Sequence, residues 1–226
     1  MNALNHKFDL PQQVRMPAFD ADPTTARLTA ANQPLIRTGR LTLRRPAAGD
    51  AEAIAAALGN HRVARMLLPV PQPYYREDAE EWLAALNADG QPGWVFAITL
   101  GGLRRILLSG QPPKAADDDR LVGVVGIDWQ RRHGQEGWQI GYWLDEPHWG
   151  QGIMTEAVNA VIARFFHGLM GEVLFSSVIA ENAASLRIQK KLGFDITGVE
   201  DVYCVPRAEQ VRLITTELTF GSYMPM

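Results

Sequence analysis

The sequence predicts one α/β unit, and three features predict it. An apolar run feeds a glycine-rich turn and then an amphipathic helix; a second run-then-helix pair follows directly; and two earlier apolar runs are joined by a long turn-rich connection. The first feature begins with the strand-like residues 138–144 and continues through Trp149-Gly150-Gln151-Gly152-Ile153-Met154-Thr155. Beyond the turn, Ile153, Ala157, Val158, Val161, Ile162, Phe165 and Phe166 fall on one helical stripe of the kind that packs on a sheet, and Gly168 and Gly171 end it.

The second pair is a strand at residues 173–180, then Glu181-Asn182-Ala183-Ala184-Ser185 and a helix closing at Lys191-Leu192-Gly193-Phe194. Asn182 reads as its N-cap and Gly193 as its terminator. Upstream, residues 40–45 read as a strand with Leu41 and Leu43 on one face. Residues 50–58 read as a helix whose alanines supply propensity more than packing, and residues 78–86 as another. Residues 94–100 and 121–128 read as paired strands. Between them, Gly101-Gly102, Ser109-Gly110, Pro112-Pro113 and Asp117-Asp118-Asp119 mark residues 101–120 as a long hairpin connection. Residues 1–34, with Pro11, Pro17, Pro23 and Pro34 and weak periodicity, read as an extension either draped on the surface or disordered, ahead of a single domain at 35–222.

With 46% hydrophobic and 21% charged residues in a chain of 226, the composition is that of a soluble globular protein with one full core. A net charge of -3 and a pI of about 6.0 give no electrostatic footprint for nucleic acid, and leave a basic protein or a polyamine unopposed. The single cysteine, Cys204, rules out an internal disulfide. The first thirty residues lack a long apolar run behind a basic start, so no signal peptide or membrane span is expected and the expected location is the cytoplasm. No cluster of His, Cys or carboxylates has the spacing of a metal site.

Gly150 and Gly152 let the backbone approach an anion closely, and a helix beginning there aims its positive end and several N–H groups at one point, as a phosphate requires. Alone, Gly-x-Gly is equally at home in a plain tight turn. The third glycine of a dinucleotide fingerprint and the Gly-Lys-Ser/Thr of a P-loop are both missing.

The order strand, Trp-Gly-x-Gly turn, helix, strand, Asn-x-x-Ser, helix, Leu-Gly-Phe resembles the acyl-CoA-binding core of the GNAT superfamily of N-acetyltransferases. Thr38-Gly39-Arg40-Leu41-Thr42-Leu43-Arg44 with Asp50, together with Ile140-Gly141-Tyr142-Trp143-Leu144 and Thr155-Glu156-Ala157, resemble its Rim-type branch, which modifies the N-terminal amines of ribosomal proteins. The similarity spans about residues 35–220. It implies an α/β (α+β) fold: a mixed, mostly antiparallel central sheet with a parallel splay and helices on both faces. It further implies acetyl-CoA as cofactor and direct transfer to an amine in a ternary complex; a homodimer is common in the branch.

The same resemblance assigns the site. Strand ends around residues 142–144 and 178–180 would admit the pantetheine arm, and the N–H groups of Gln151, Gly152, Ile153, Met154 and Thr155 would hold the pyrophosphate. A strand N–H near Trp143 or Leu144 would polarise the thioester oxygen. Asn182 would touch the pantetheine arm, and Ser185 would lie near the sulfur and protonate the leaving thiolate, with Tyr203 as the rival acid. Each has a simpler reading: Asn182 as a cap, which can coexist with ligand contact, Ser185 as an early-helix hydroxyl bonded to backbone, Tyr203 as a packed tyrosine with its hydroxyl in water.

The chain departs from the superfamily pattern at Trp149, where Gln or Arg is usual, and at Met154, where Gly or Ala is usual. Met154 keeps its N–H, but its side chain is expected to crowd the pyrophosphate. Related proteins place a carboxylate just before Ile-Gly-Tyr-Trp; here stands Gln139, which cannot accept a proton at neutral pH. Glu136, His133 and Asp128 are the substitutes at hand, each equally legible as a surface residue, and a water chain is a further route. Glu156, in the first helical turn, points to stabilisation of the helix end, and Cys204 reads as a structural thiol. Three functions stay open: acetyl transfer to a protein N-terminus, acetyl transfer to a small amine such as a polyamine, amino acid or antibiotic, and a non-catalytic acyl-CoA-binding sensor. Acceptor contacts are expected from residues 66–75 and 101–120.

Overall fold

The computed structural model of the chain describes residues 28–86, 92–101, 119–132 and 135–226. Its strands are β1 (Ile36–Arg37), β2 (Thr42–Arg44), β3 (Gly93–Thr99), β4 (Gly123–Arg132), β5 (Gln135–Leu144), β6 (Leu174–Ile179), β7 (Asp195–Cys204) and β8 (Glu209–Leu218), and they form one sheet in the order β1-β2-β3-β4-β5-β6-β8-β7. Among the described residues every neighbouring pair is antiparallel except β5 and β6. That parallel pair holds for only two positions, Trp138 opposite Leu174 and Gln139 opposite Phe175, after which the strands part. The opening between Ile140–Leu144 and Ser176–Ile179 lies mid-sheet, and the rest of the fold is arranged around it.

The helices are α1 (Ala51–Gly59), α2 (His61–Ala64), α3 (Arg76–Leu86), α4 (Ile153–Gly168) and α5 (Ala183–Leu192). The stripe on α4 packs as its spacing dictates: Ala157, Val161, Ile162 and Phe165 are wholly buried against Leu43, Phe96, Ile127, Ile140 and Leu174. Each large apolar side chain removed from water there contributes about 1.5–3 kcal/mol. The other face carries α1 and α3, whose Ile54, Leu58 and Leu83 meet Ala97 and Val124, with Trp143 packed alongside. Helices therefore cover both faces, and the mixed sheet with its splay is the one the resemblance implied.

Residues 28–34, placed by sequence in the N-terminal extension, run along β3. Leu28 is buried in the main core, Thr29 bridges Pro92, and Gln33 exchanges two hydrogen bonds with the backbone of Val95. The earlier part of the extension, and residues 102–118 of the expected connection, lie outside the described residues. Among the described residues no helix is long and apolar enough to cross a membrane, and no group of three or more His, Cys, Asp or Glu is placed to hold a metal ion.

Candidate active site

The glycine turn connects a short 3-10 segment, Glu146–His148, to α4. Gly150 and Gly152 both have φ of 73°, in the left-handed region that other residues enter at a cost of roughly 1–2 kcal/mol. A Cβ added at Gly150 would project into open space. No side chain caps α4, so the first-turn N–H groups, which have no intrahelical partner, are left to an incoming acceptor. Gly150, Gly152, Ile153, Met154 and Thr155 line a cavity of about 570 Å³. The donor set, backbone N–H groups at a positive helix end, fits a pyrophosphate.

A clamp that the sequence does not reveal holds this turn. Glu156 accepts from the Thr38 hydroxyl at 2.5 Å, the Arg40 backbone N–H at 3.1 Å and Arg40 Nε at 2.7 Å. Arg40 Nη1 in turn donates to the carbonyl of Gln151 at 2.9 Å. Burial pushes the Glu156 carboxyl up, but the hydrogen bonds from Thr38 and Arg40 outweigh it and hold the group below its ordinary value. The Thr38-Gly39-Arg40 stretch and the Thr155-Glu156-Ala157 stretch, 116 residues apart, are thus two halves of one device.

Two expected features of the turn are placed differently. Met154 is 6% exposed and packs in the main core, at the point where that core meets the wall of the large cavity. It follows the buried stripe of α4. Gln151 lies outside the cavity wall, its side-chain amide donating to Pro147 O and its carbonyl taken by Arg40.

In the splay the direction of the backbone groups follows from alternation. The N–H of Asp145 donates to Val122 O, just before β4. Along an extended strand the N–H of Trp143 then also faces β4, and the backbone groups of Ile140, Tyr142 and Leu144 face the gap. Two side chains confirm this direction: Ser176 Oγ donates to Ile140 O at 3.0 Å and Trp149 Nε1 to Leu144 O at 2.7 Å. The N–H groups aimed at the splay are those of Tyr142 and Leu144, whereas Trp143 turns its side chain to the α1 and α3 face.

Asn182 is the N-cap of α5, its Oδ1 accepting from Ser185 N at 3.1 Å, and it also lines the large cavity. Ser185 Oγ lies 2.9 Å from the hydroxyl of Tyr142, on the opposite side of the splay. Burial pushes the Tyr142 hydroxyl up to about 12, against the pull of hydrogen bonds from Ser185 and Gln189, so it stays protonated at neutral pH. By sequence Tyr142 belongs to a strand motif and to a strand end that would admit the pantetheine arm, with no role for its hydroxyl. Its alternation with Ile140 and Leu144 on one face of β5 was the available signal; its partner 43 residues away was not legible.

Tyr203 sits on β7, the outermost strand, with its side chain 55% exposed, and it lines neither cavity of the splay. Glu136 is paired with Arg131, its register partner on β4. It precedes Tyr142 by six residues, roughly 20 Å along the strand. Asp128 stands opposite Gln139 on β4 and lines a second cavity of about 190 Å³, together with Gln130, Gln139 and Gly141. Gln130 Nε2 donates to Asp128 at 2.6 Å. His133 lies outside the described residues. This second cavity meets the first at Met66, Leu67, Tyr142, Asn182 and Ser185. Its wall at residues 65–68 is pinned from the β7–β8 corner, where Arg207 Nε donates to Arg65 O at 2.8 Å and the Val205 N–H donates to Leu68 O at 3.0 Å. Cys204 is buried and its thiol bonds Leu67 O at 3.6 Å.

The parallel pair opens mid-sheet, and the uncapped glycine turn lies on the wall of the large cavity together with Tyr142 and Leu144 of β5. The family model described as an acetyltransferase (GNAT) domain matches residues 40–195, and the chain belongs to that family, whose members are N-acetyltransferases that use acetyl-CoA. The chain is 40% identical over 84 residues to a probable N-acetyltransferase, YjcK, of Bacillus subtilis (strain 168), covering 37% of this chain and 46% of that relative, less than half its length. It is 29% identical over 92 residues to the ribosomal-protein-serine acetyltransferase of Escherichia coli (strain K12), covering 41% of this chain and 48% of that one. Among solved structures, Mycobacterium smegmatis RimJ in complex with CoA-disulfide shares the fold with a TM-score of 0.63 at 19% identity, over 82% of this chain and 86% of that one.

Proposed function

We propose that the protein transfers an acetyl group from acetyl-CoA to the N-terminal amine of a protein by direct attack in a ternary complex. The observation that carries the reading is the meeting of two cavities at Tyr142, Asn182 and Ser185, one walled by the phosphate-type turn and the other by Asp128 and Gln139. Bound acetyl-CoA would supply an activated carbonyl on a good leaving group. The turn N–H groups at Gly152, Ile153, Met154 and Thr155 would take its phosphates, Asn182 its arm, and the Leu144 N–H its carbonyl oxygen. The amine nitrogen forms the new C–N bond as the C–S bond breaks. The thiolate takes its proton from the Tyr142–Ser185 hydroxyl pair, and the amine gives up its own to Asp128 or to water. Desolvation favours Tyr142 as the proton holder, with Ser185 2.9 Å away as its partner in the relay. A protein acceptor is favoured over a small amine by the relationship to a ribosomal-protein-serine acetyltransferase.

The test is acetyl-CoA consumption, read as free thiol, against ribosomal-protein N-terminal peptides, polyamines, amino acids and aminoglycosides. Turnover with peptides is expected. Turnover only with a small amine would move the acceptor class. Silence across the panel with CoA binding intact would favour the sensor reading over catalysis.

A further inference from the structure

The ladder between β5 and β6 ends at Gln139 and Phe175. One residue further, where a backbone rung is missing, a side chain replaces it: Ser176 Oγ donates to Ile140 O at 3.0 Å. That hydroxyl also accepts from Gln189 Nε2 at 3.0 Å, and Gln189 Oε1 accepts from the Thr216 hydroxyl at 3.0 Å. The chain has one direction. A hydroxyl that gives its proton to a carbonyl can only receive from the amide, so Nε2 faces Ser176 and Oε1 faces the Thr216 hydroxyl at 3.0 Å, whose single proton also has Ser176 O within reach at 3.3 Å. An amide turned over would compel Ser176 to donate to Gln189 and release Ile140. The three side chains are 5%, 2% and 1% exposed respectively, and Ser176 and Thr216 are register partners on β6 and β8.

An apolar trio of the same volume would hold β6, β8 and α5 together without desolvating three polar groups, but it could not grip the Ile140 carbonyl. The polar chain sits where the strands begin to part and nowhere deeper. We propose that Gln189 is a positioning residue: oriented by Thr216 and acting through Ser176, it fixes the width of the splay and hence the seat of the pantetheine arm. This rests on the reading of the splay as the CoA site, and it adds to that reading a support in which Ser176 lines the second cavity while Gln189 and Thr216 line neither.

The experiment compares affinities, by calorimetry, for CoA and for adenosine 3′-phosphate 5′-diphosphate, the nucleotide half of CoA without the pantetheine arm. Thr216→Val keeps the side-chain shape and removes the donor, Gln189→Met removes the amide, and Thr216→Ser restores the hydroxyl. Thr216→Val and Gln189→Met are expected to weaken CoA about tenfold and leave the nucleotide unchanged, with Thr216→Ser close to wild type. Equal losses for both ligands in Thr216→Val, or unchanged CoA affinity, would overturn the proposal. Should Gln189→Met fail to fold, the Thr216→Val and Thr216→Ser pair decides. Wild-type protein binding neither ligand would overturn the CoA reading itself and the proposal with it, an outcome seen before any variant is made.

Discussion

Replacing Tyr142 by Phe removes one oxygen from the centre of the splay and separates chemistry from stability. The oxygen lies 2.9 Å from Ser185 Oγ. Ser185 lines both cavities and regains a partner from solvent, so the folding cost is about 1 kcal/mol, a shift of about 2–4 °C in melting temperature for a chain of this size. The chemical cost is larger: loss of a positioned general acid lowers kcat by about 10²–10⁴-fold, with CoA affinity nearly unchanged. A second signature comes from linkage. The Tyr142 hydroxyl is pushed up to about 12 in the folded protein and ionises near its ordinary value of 10 in the unfolded chain. Below pH 10 both states hold the proton and the contribution is fully present. As pH rises through 10 towards 12 the unfolded chain releases it first, so stability falls. Between pH 9 and 11 the share owed to Tyr142 is about 1 kcal/mol. Tyr74, also pushed up to about 12 by burial, and Tyr223 keep their shares in the variant. Urea unfolding at the two pH values should therefore show Tyr142→Phe losing about 1 kcal/mol less than wild type. Turnover within threefold of wild type, together with an unchanged alkaline slope, would refute the placement of a desolvated acid at Tyr142.

Three other perturbations separate parts of the site. Gly141→Val adds a Cβ that meets nothing within 4 Å, at a residue that lines the acceptor-side cavity and has no positive φ. CoA affinity should hold while kcat/KM for the amine falls more than about tenfold, and preserved turnover would place the acceptor elsewhere. Asp128→Asn keeps the shape and removes the charge; kcat/KM for the amine should fall roughly 10²-fold with CoA affinity intact, and an unchanged value would give the base role to water. Gly193→Ala has both a φ of 91° and a Cβ 1.9 Å from Ser222 O, in a turn where Met224 N donates to Leu192 O. A loss of about 3 kcal/mol is expected, seen as a fall of roughly 6–12 °C in melting temperature, and a change under 2 °C would contradict the close approach.

What the sequence made legible was what is local. The α4 stripe, the glycine turn, the Asn182 cap and the Gly193 terminator all follow from spacings of a few residues, and each is where the pattern put it. The β7–β8 hairpin went unread because β7 is an edge strand whose Ile196, Val199 and Tyr203 are exposed, so its alternation lacks the apolar-in, polar-out contrast that marks a half-buried strand. The residues that make the site work are joined across long separations: Arg40 to Glu156, Tyr142 to Ser185, Ser176 to Gln189 and Thr216. No period encodes such pairs; the crossover that brings α5 over the splay creates them. Met154 shows the converse. Its motif position places it in the turn, and its helix phase places it with Val158 and Val161 on a buried face; the residue does both, packing in the core while lining the cavity.

The most direct test of the account is a calorimetric titration of CoA into wild-type protein and Gly152→Glu, with melting curves to confirm that both are folded. Gly152 has φ of 73°, and a Cβ added there would meet Arg40 Nη2 at 3.5 Å, so a Glu side chain would strain the turn, compete with Glu156 and the Gln151 carbonyl for Arg40, and bring negative charge beside the N–H groups of the first turn. The account predicts saturable binding to wild type and at least about 100-fold weaker binding to the variant. Equal affinity in the two proteins would mean that the Trp149–Thr155 turn does not hold the phosphates.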